Sequence, residues 1–391
     1  DHLIDLDVKR TISYGVHNQD RNPNLSSAME AACAAEAAGS EPEEAPACTL
    51  GGMVLPGTPA LDPTTCSVYN IIEDVQIPKG VVLVANPGVK IMGKGKRIKV
   101  EGGIDFAGTS DSKIVLNSVQ IQPAGDPDDP TYTINISHTD FKYGAITYSS
   151  RNRVLKKQFK ISNSSFDGAS LNGQYARPDL IVIKDNKFLK NSSLYCQYCG
   201  VDPDNNYGGS NITKMTVTGN SFGQDTIIEI QNHRLTDLII NNNSFNERSN
   251  GINISPHWGL QYYWYNNLLP ANIEIKENTF NKSGGIRANT GKYDISGNNF
   301  IDSPGIRYEV GMDDYYLNHP NNIGKAEFKI NNNLFLRQKG GFAIQNWKNN
   351  GDNLELKDNT FCSKDRIALS LTNDRYARMT AGKNYWNTTD K

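Results

Sequence analysis

Two arginines, Arg287 and Arg307, stand twenty residues apart in closely matching local sequence, and two histidines, His233 and His257, occupy nearly equivalent positions in the segments before them. Guanidinium groups bind carboxylates in a bidentate fashion. Imidazole is the side chain best suited to moving a proton near neutral pH. Together these residues suit the recognition of an acidic chain such as a uronate polymer, with proton abstraction beside the carboxylate as the accompanying chemistry. Trp258, Tyr262, Tyr263, Trp264 and Tyr265 follow His257, and Asp313, Asp314, Tyr315, Tyr316 and His319 cluster further on, with Trp347 beyond them. Flat apolar rings with polar rims suit sugar faces, and one of Tyr262, Tyr263, Tyr308, Tyr315 and Tyr316 would return or donate the proton. Glu229 and Glu309, or Asp313 and Asp314, are the carboxylate pairs a glycosidase would need about 5 to 9.5 Å apart. The plainer alternatives are that the arginines pair with Glu309 and nearby Asp residues, and that the aromatic loop packs on its own scaffold.

These residues are positioned by a repeat. An apolar residue, a polar step and then Asn-x-Phe recur as VTGNSF ending at Phe222, INNNSF at Phe245, IKENTF at Phe280, ISGNNF at Phe300, INNNLF at Phe335 and LKDNTF at Phe361, with looser copies ending at Phe166, Phe188 and Trp386. From Phe141 to Trp386 the aromatics step by 25, 22, 34, 23, 35, 20, 35, 26 and 25 residues, a base period just over twenty with three lengthened steps. Each period holds short triplets such as Ile228-Glu229-Ile230 and Ile252-Asn253-Ile254, whose period of two predicts strands bounded by Gly, Asn, Asp and Ser turns. Such coils bury their apolar residues only by stacking on the next coil, which predicts an all-β parallel β-helix. Asn220, Asn243, Asn278, Asn298, Asn333 and Asn359 are then expected to form an amide ladder beside a stack of Phe rings.

In register, the three lengthened steps become insertions at 195–211, 255–270 and 311–323 that leave one corner side by side, the usual place for a binding site. The outward residue of the preceding strand runs Tyr195, Glu229, Asn253, Arg287, Arg307, Ala343, Ala368. Arg287 and Arg307 would stack one strand spacing apart, which is unfavourable unless something anionic lies over them.

The repeat resembles the right-handed parallel β-helix, pectin-lyase-like superfamily over roughly residues 70–386. That resemblance implies a secreted carbohydrate-active or surface protein, of a kind that includes polysaccharide lyases, hydrolases, epimerases and adhesins. Locally, Gly251-Ile252-Asn253-Ile254-Ser255-Pro256-His257 is similar to the Asp-Pro-His segment of β-helix alginate epimerases. There the acid and His, with Tyr and Arg, exchange the proton beside the uronate carboxylate. Here Ser255 replaces the acid and Trp258 the acidic residue after His, so the resemblance carries over only His257.

The rest of the chain sets bounds. A formal charge of −2 argues against binding driven by phosphate neutralisation, so no nucleic-acid partner is expected. No apolar run approaches eighteen residues, so no membrane span is expected. Residues 1–70 read as a cap and acidic linker, with a helix beginning near Ser26 and ending at Gly39; residues 71–391 read as the solenoid. The start at Asp1 and six cysteines suggest a processed, secreted, cell-surface or periplasmic protein. Cys33, Cys48 and Cys66 flank a segment that would gain from staples, and Cys196-x-x-Cys199, read as lying in a loop, suggests a local disulfide. Gly93-Lys94-Gly95-Lys96 reads as a turn, since a strand rather than a helix follows it. The Asp-rich run at 126–130 offers oxygens to a calcium ion, but one loop supplies too few to define a site; no cofactor is expected. The expected function is binding of an acidic polysaccharide, with lyase or epimerase chemistry as its extension. A non-catalytic adhesin is the alternative.

Overall fold

The computed structural model describes residues 45–125, 132–149, 159–174, 180–197, 199, 214–231, 235–255, 272–288, 292–309, 327–337, 342–347, 353–362, 367–372 and 378–387. The chain divides into two units, 1–46 and 47–391. The expected helix in the first unit lies outside the described residues, as do Cys33 and the 126–130 run.

The second unit is an all-β parallel β-helix. Among the described residues its strands form one sheet of twelve and one of twenty-five, and the larger comprises two ladders of consecutive coils, so each coil contributes to three walls. The first wall runs through strands such as Asp237–Asn241, Asn272–Lys276, Lys292–Ser296 and Glu327–Asn331. The second carries the Phe residues on short strands such as Thr279–Asn281 and Asn299–Ile301. The third runs through Ser193–Gln197, Ile227–Gln231, Ile252–Ser255, Ile286–Ala288 and Ile306–Glu309. Strand pairing already includes Ala47–Met53 against Val68–Ile77.

Alternation decides what enters the core. In Lys292–Ser296, Tyr293 and Ile295 are buried while Asp294 faces out; in Ile227–Gln231, Ile228 and Ile230 are buried while Glu229 faces out. Between the first and second walls the amide ladder forms as expected and extends from Asn186 to Asn384. Each Nδ2 donates to the Oδ1 of the Asn one coil on, for example Asn278 to Asn298 and Asn298 to Asn333, both at 3.0 Å. The same Oδ1 accepts the backbone N–H of the preceding rung at 2.9 Å. Upstream, Ser164 takes the position and Thr139 precedes it, joined by hydrogen bonds at 3.0 and 3.1 Å. The residue before each Asn has positive φ: Asp185, Gly219, Asn242, Glu277, Gly297, Asn332, Asp358 and Lys383. For Glu277 and Lys383 this costs about 1–2 kcal/mol, which the buried amide contacts offset.

The Phe rings stack without interruption from Phe141 to Trp386, with centroids 4.4 to 4.9 Å apart. The strand spacing of about 4.8 Å sets this repeat. Because carbon atoms touch at about 3.5–4.0 Å, parallel rings held at that repeat must lie offset to make contact, the arrangement their quadrupoles prefer. The corner between the second and third walls is so tight that a Cβ on Gly285 would fall 2.1 Å from the Gly305 carbonyl oxygen. Lys94 and Gly95 both have positive φ, as the expected turn requires.

Outward on the first wall, opposite charges stack. Lys214 meets Asp237 at 3.0 Å, and Lys276 bridges Asp294 and Glu274 at 2.8 and 3.1 Å. The hydrogen bond from Lys214 is the main cause holding the Asp237 carboxyl below its ordinary value. A depressed folded value means that this stabilisation is complete above the unfolded carboxylate value and is lost as pH falls through the folded one. Asp237→Asn should therefore show a lower urea midpoint than the parent at neutral pH and converge with it on acidification. A gap that stays constant with pH would rule the effect out.

Two disulfides close, Cys48–Cys66 and Cys196–Cys199. Cys196 is not in a loop, as expected from sequence, but on the strand Ser193–Gln197, at an inward position of the alternation. Cys199 is buried over Gly173, where a Cβ would lie 3.3 Å from its Sγ. Cys362 is free and partly exposed.

Candidate functional site

The third wall positions the candidate residues. Its strands pair in parallel, so Tyr195, Glu229, Asn253, Arg287 and Arg307 are successive Cα partners. Inward neighbours such as Ile228, Ile252, Ile286 and Ile306 anchor each strand in the core and leave these five on the outer face. Arg287 and Arg307 are exposed, and Tyr195, Glu229 and Asn253 are half-buried.

Beyond Arg307 the expected row needs correcting. Arg307 pairs with Gln345 and Gln345 with Ser370, not with Ala343 and Ala368. The step from Ile301 to Ile306 on one coil corresponds to Leu336 to Ile344 on the next, so the longer corner moves the register by residues that triplet spacing did not count. Tyr308 is corrected as well. It is an inward residue, buried, with its ring edge-on to Phe328 at 4.5 Å, and a substrate on the outer face does not reach it.

Glu229 and Glu309 lie on strands separated by three pairings along the wall. Those strands are therefore about 14 Å apart, with Glu309 two residues further along its strand than the partner row of Glu229. The Cα partner of Glu309 is Trp347.

Glu229 is held in a small network. Gln231 Nε2 donates to Glu229 Oε1 at 2.6 Å, Asn253 Nδ2 donates to the same oxygen at 3.3 Å, and Tyr195 OH donates to Gln231 Oε1 at 3.1 Å. Gln231 was not among the residues expected from sequence. The signal was present, since in Ile228-Glu229-Ile230-Gln231 alternation places 229 and 231 on one face.

The roots of the three insertions line up as expected. The chain leaves the third wall at Gln197, Ser255 and Glu309 and re-enters the first wall at Lys214, Asn272 and Glu327. Ser193–Gln197, Ile252–Ser255 and Ile306–Glu309 alternate along the wall with Ile227–Gln231 and Ile286–Ala288, whose connections are short. Glu229 and Arg287 thus each sit on a short-loop coil between two long-loop coils. The insertion residues themselves, with His233, His257, Trp258, Tyr262, Tyr263, Trp264, Asp313, Asp314, Tyr315 and Tyr316, lie outside the described residues. Among the described residues no cluster of His, Cys, Asp and Glu could hold a metal ion, and no helix is long and apolar enough to cross a membrane. No family model, curated protein or solved structure matches the chain.

Proposed function

We propose that the protein holds an acidic, uronate-containing polysaccharide along the third wall. The observation that carries this reading is the placement of Arg287 and Arg307 as Cα partners on consecutive coils, both exposed, with Arg307 on the strand that leads into the 310–326 insertion and Arg287 on the coil before it. Two exposed guanidinium groups one strand spacing apart offer bidentate donors to a carboxylate-bearing chain. The outward groups of the wall repeat at the strand spacing of about 4.8 Å, so a linear polymer can engage several coils. The two disulfides favour an oxidising compartment outside the cytoplasm.

Titration with alginate, pectate and glycosaminoglycan fragments at low ionic strength tests this. Arg287→Ala or Arg307→Ala should each weaken binding about tenfold, since a hydrogen bond to a charged group contributes about 1.5–3 kcal/mol. Parent-level affinity in the double variant would displace the site from this wall. Release of unsaturated ends, or proton exchange into the uronate from deuterated water, would add lyase or epimerase chemistry to the binding. Binding without product assigns a non-catalytic surface protein.

A further inference from the structure

The outer face of the third wall changes chemical character over a short distance. On the coils of Arg287 and Arg307 it carries two exposed guanidinium groups. On the coils of Tyr195, Glu229 and Asn253 the donors are turned on the protein itself: Tyr195 OH is used on Gln231 Oε1, and Gln231 Nε2 and Asn253 Nδ2 are both used on Glu229 Oε1. What this stretch has left to offer is acceptor capacity. Only Oε1 of the Glu229 carboxylate is engaged by these two donors. The two stretches are fixed relative to one another by the strand register, with Asn253 between Glu229 and Arg287. Two strand spacings, about 10 Å, therefore separate the acidic coil from the first arginine coil.

We infer that the wall reads a mixed polymer: Arg287 and Arg307 take a carboxylate, while the Glu229 coil takes a neutral or amino sugar through its hydroxyl or N–H donors. This rests on the acidic-polysaccharide reading of the wall and specifies the composition of that ligand. A polymer with a carboxylate on every sugar places one beside Glu229 whenever it spans both stretches, and the like charges repel. A polymer whose uronates are separated by neutral N-acetylhexosamines avoids the clash in one of its two registers and supplies hydroxyl and amide N–H donors where the protein has acceptors. Glu229 thus acts as a specificity-determining residue by rejection as well as by contact.

The test titrates the full chain at low ionic strength with size-matched fragments of polygalacturonate, a uronate on every sugar, and of hyaluronan, in which uronate alternates with N-acetylglucosamine. Glu229→Gln removes the charge, keeps an oxygen for Gln231 and Asn253 to donate to, and leaves the strand's inward residues untouched. It should raise affinity for polygalacturonate about tenfold, the effect of removing about 1.4 kcal/mol of repulsion, and give no gain for hyaluronan, whose hydroxyl and N–H donors lose a charged acceptor. The gain should shrink with added salt. Unchanged polygalacturonate affinity in Glu229→Gln, or an equal gain for both polymers, overturns the inference while leaving acidic-polysaccharide binding in place. Binding of neither polymer by the folded parent overturns both.

Discussion

Phe300→Ala is expected to destabilise the solenoid by about 4 kcal/mol, within the range of about 3–5 kcal/mol found when a buried Phe is truncated. Phe300 has no exposed surface and touches Phe280 at 4.7 Å on one side and Phe335 at 4.9 Å on the other. Its coil is held from above and below by backbone ladders whose repeat is fixed at the strand spacing. The neighbouring rings cannot close the gap without breaking those ladders, so the cavity persists and its cost is close to the full one. Phe300→Leu keeps most of the volume and should cost about 1–2 kcal/mol. Because each coil depends on its two neighbours, the loss should be local before it is global. Hydrogen exchange should accelerate first in Lys292–Ser296 and Asn299–Ile301. A denaturant midpoint shift equivalent to less than 1 kcal/mol, or exchange that rises evenly along the chain, would contradict this account of the core.

Asn298→Ala should cost about as much, for a different reason. The Asn298 amide donates to the Ile275 and Ser296 carbonyl oxygens and to Asn333 Oδ1, and its Oδ1 accepts from both the backbone N–H and Nδ2 of Asn278. Asn298 is fully buried, so the groups it leaves behind cannot turn to water. A buried polar group without a partner costs about 1–3 kcal/mol, and two or three such groups give about 4 kcal/mol. Asn298→Asp separates packing from hydrogen bonding: the volume is kept, the donors are lost, and a buried charge faces the carbonyl oxygens of Ile275 and Ser296. It should be no more stable than Asn298→Ala, as read by thermal or urea unfolding. An Asp variant close to the parent would mean that the ladder is an ornament of the corner and not a support.

The scaffold was legible in the sequence because its stabilising residues are identical from coil to coil. Asn-x-Phe fixes both the amide ladder and the ring stack, and once Phe280 lies over Phe300 the register of Arg287 over Arg307 follows from equal spacing. Legibility failed where spacing ceased to be equal. The longer corner before Phe342–Trp347 moved the outward row from Ala343 to Gln345, and no local property of those residues announces the shift. Tyr308 was misread for a different reason. Its hydroxyl suggested chemistry, yet the same alternation that turns Arg307 outward turns Tyr308 into the core. Cys196 was read as a loop residue because the insertion was taken to begin at 195, although Leu194 and Cys196 repeat the inward pair seen at Ile228 and Ile230. The Glu229–Gln231–Tyr195 network joins residues on two coils, and only pairing of the two strands brings them together.

The register of the amide rungs also makes the third wall a ruler with fixed graduations. Groups displayed on it can be separated only by whole multiples of the backbone repeat, because a fractional shift would unseat every Asn and Phe behind them. Point substitution can change which chemistry a graduation carries, but it cannot slide one mark toward another. A lineage in need of a different distance between its acidic and basic marks would have to gain or lose an entire turn, so divergence in ligand preference should proceed in quanta and not by drift.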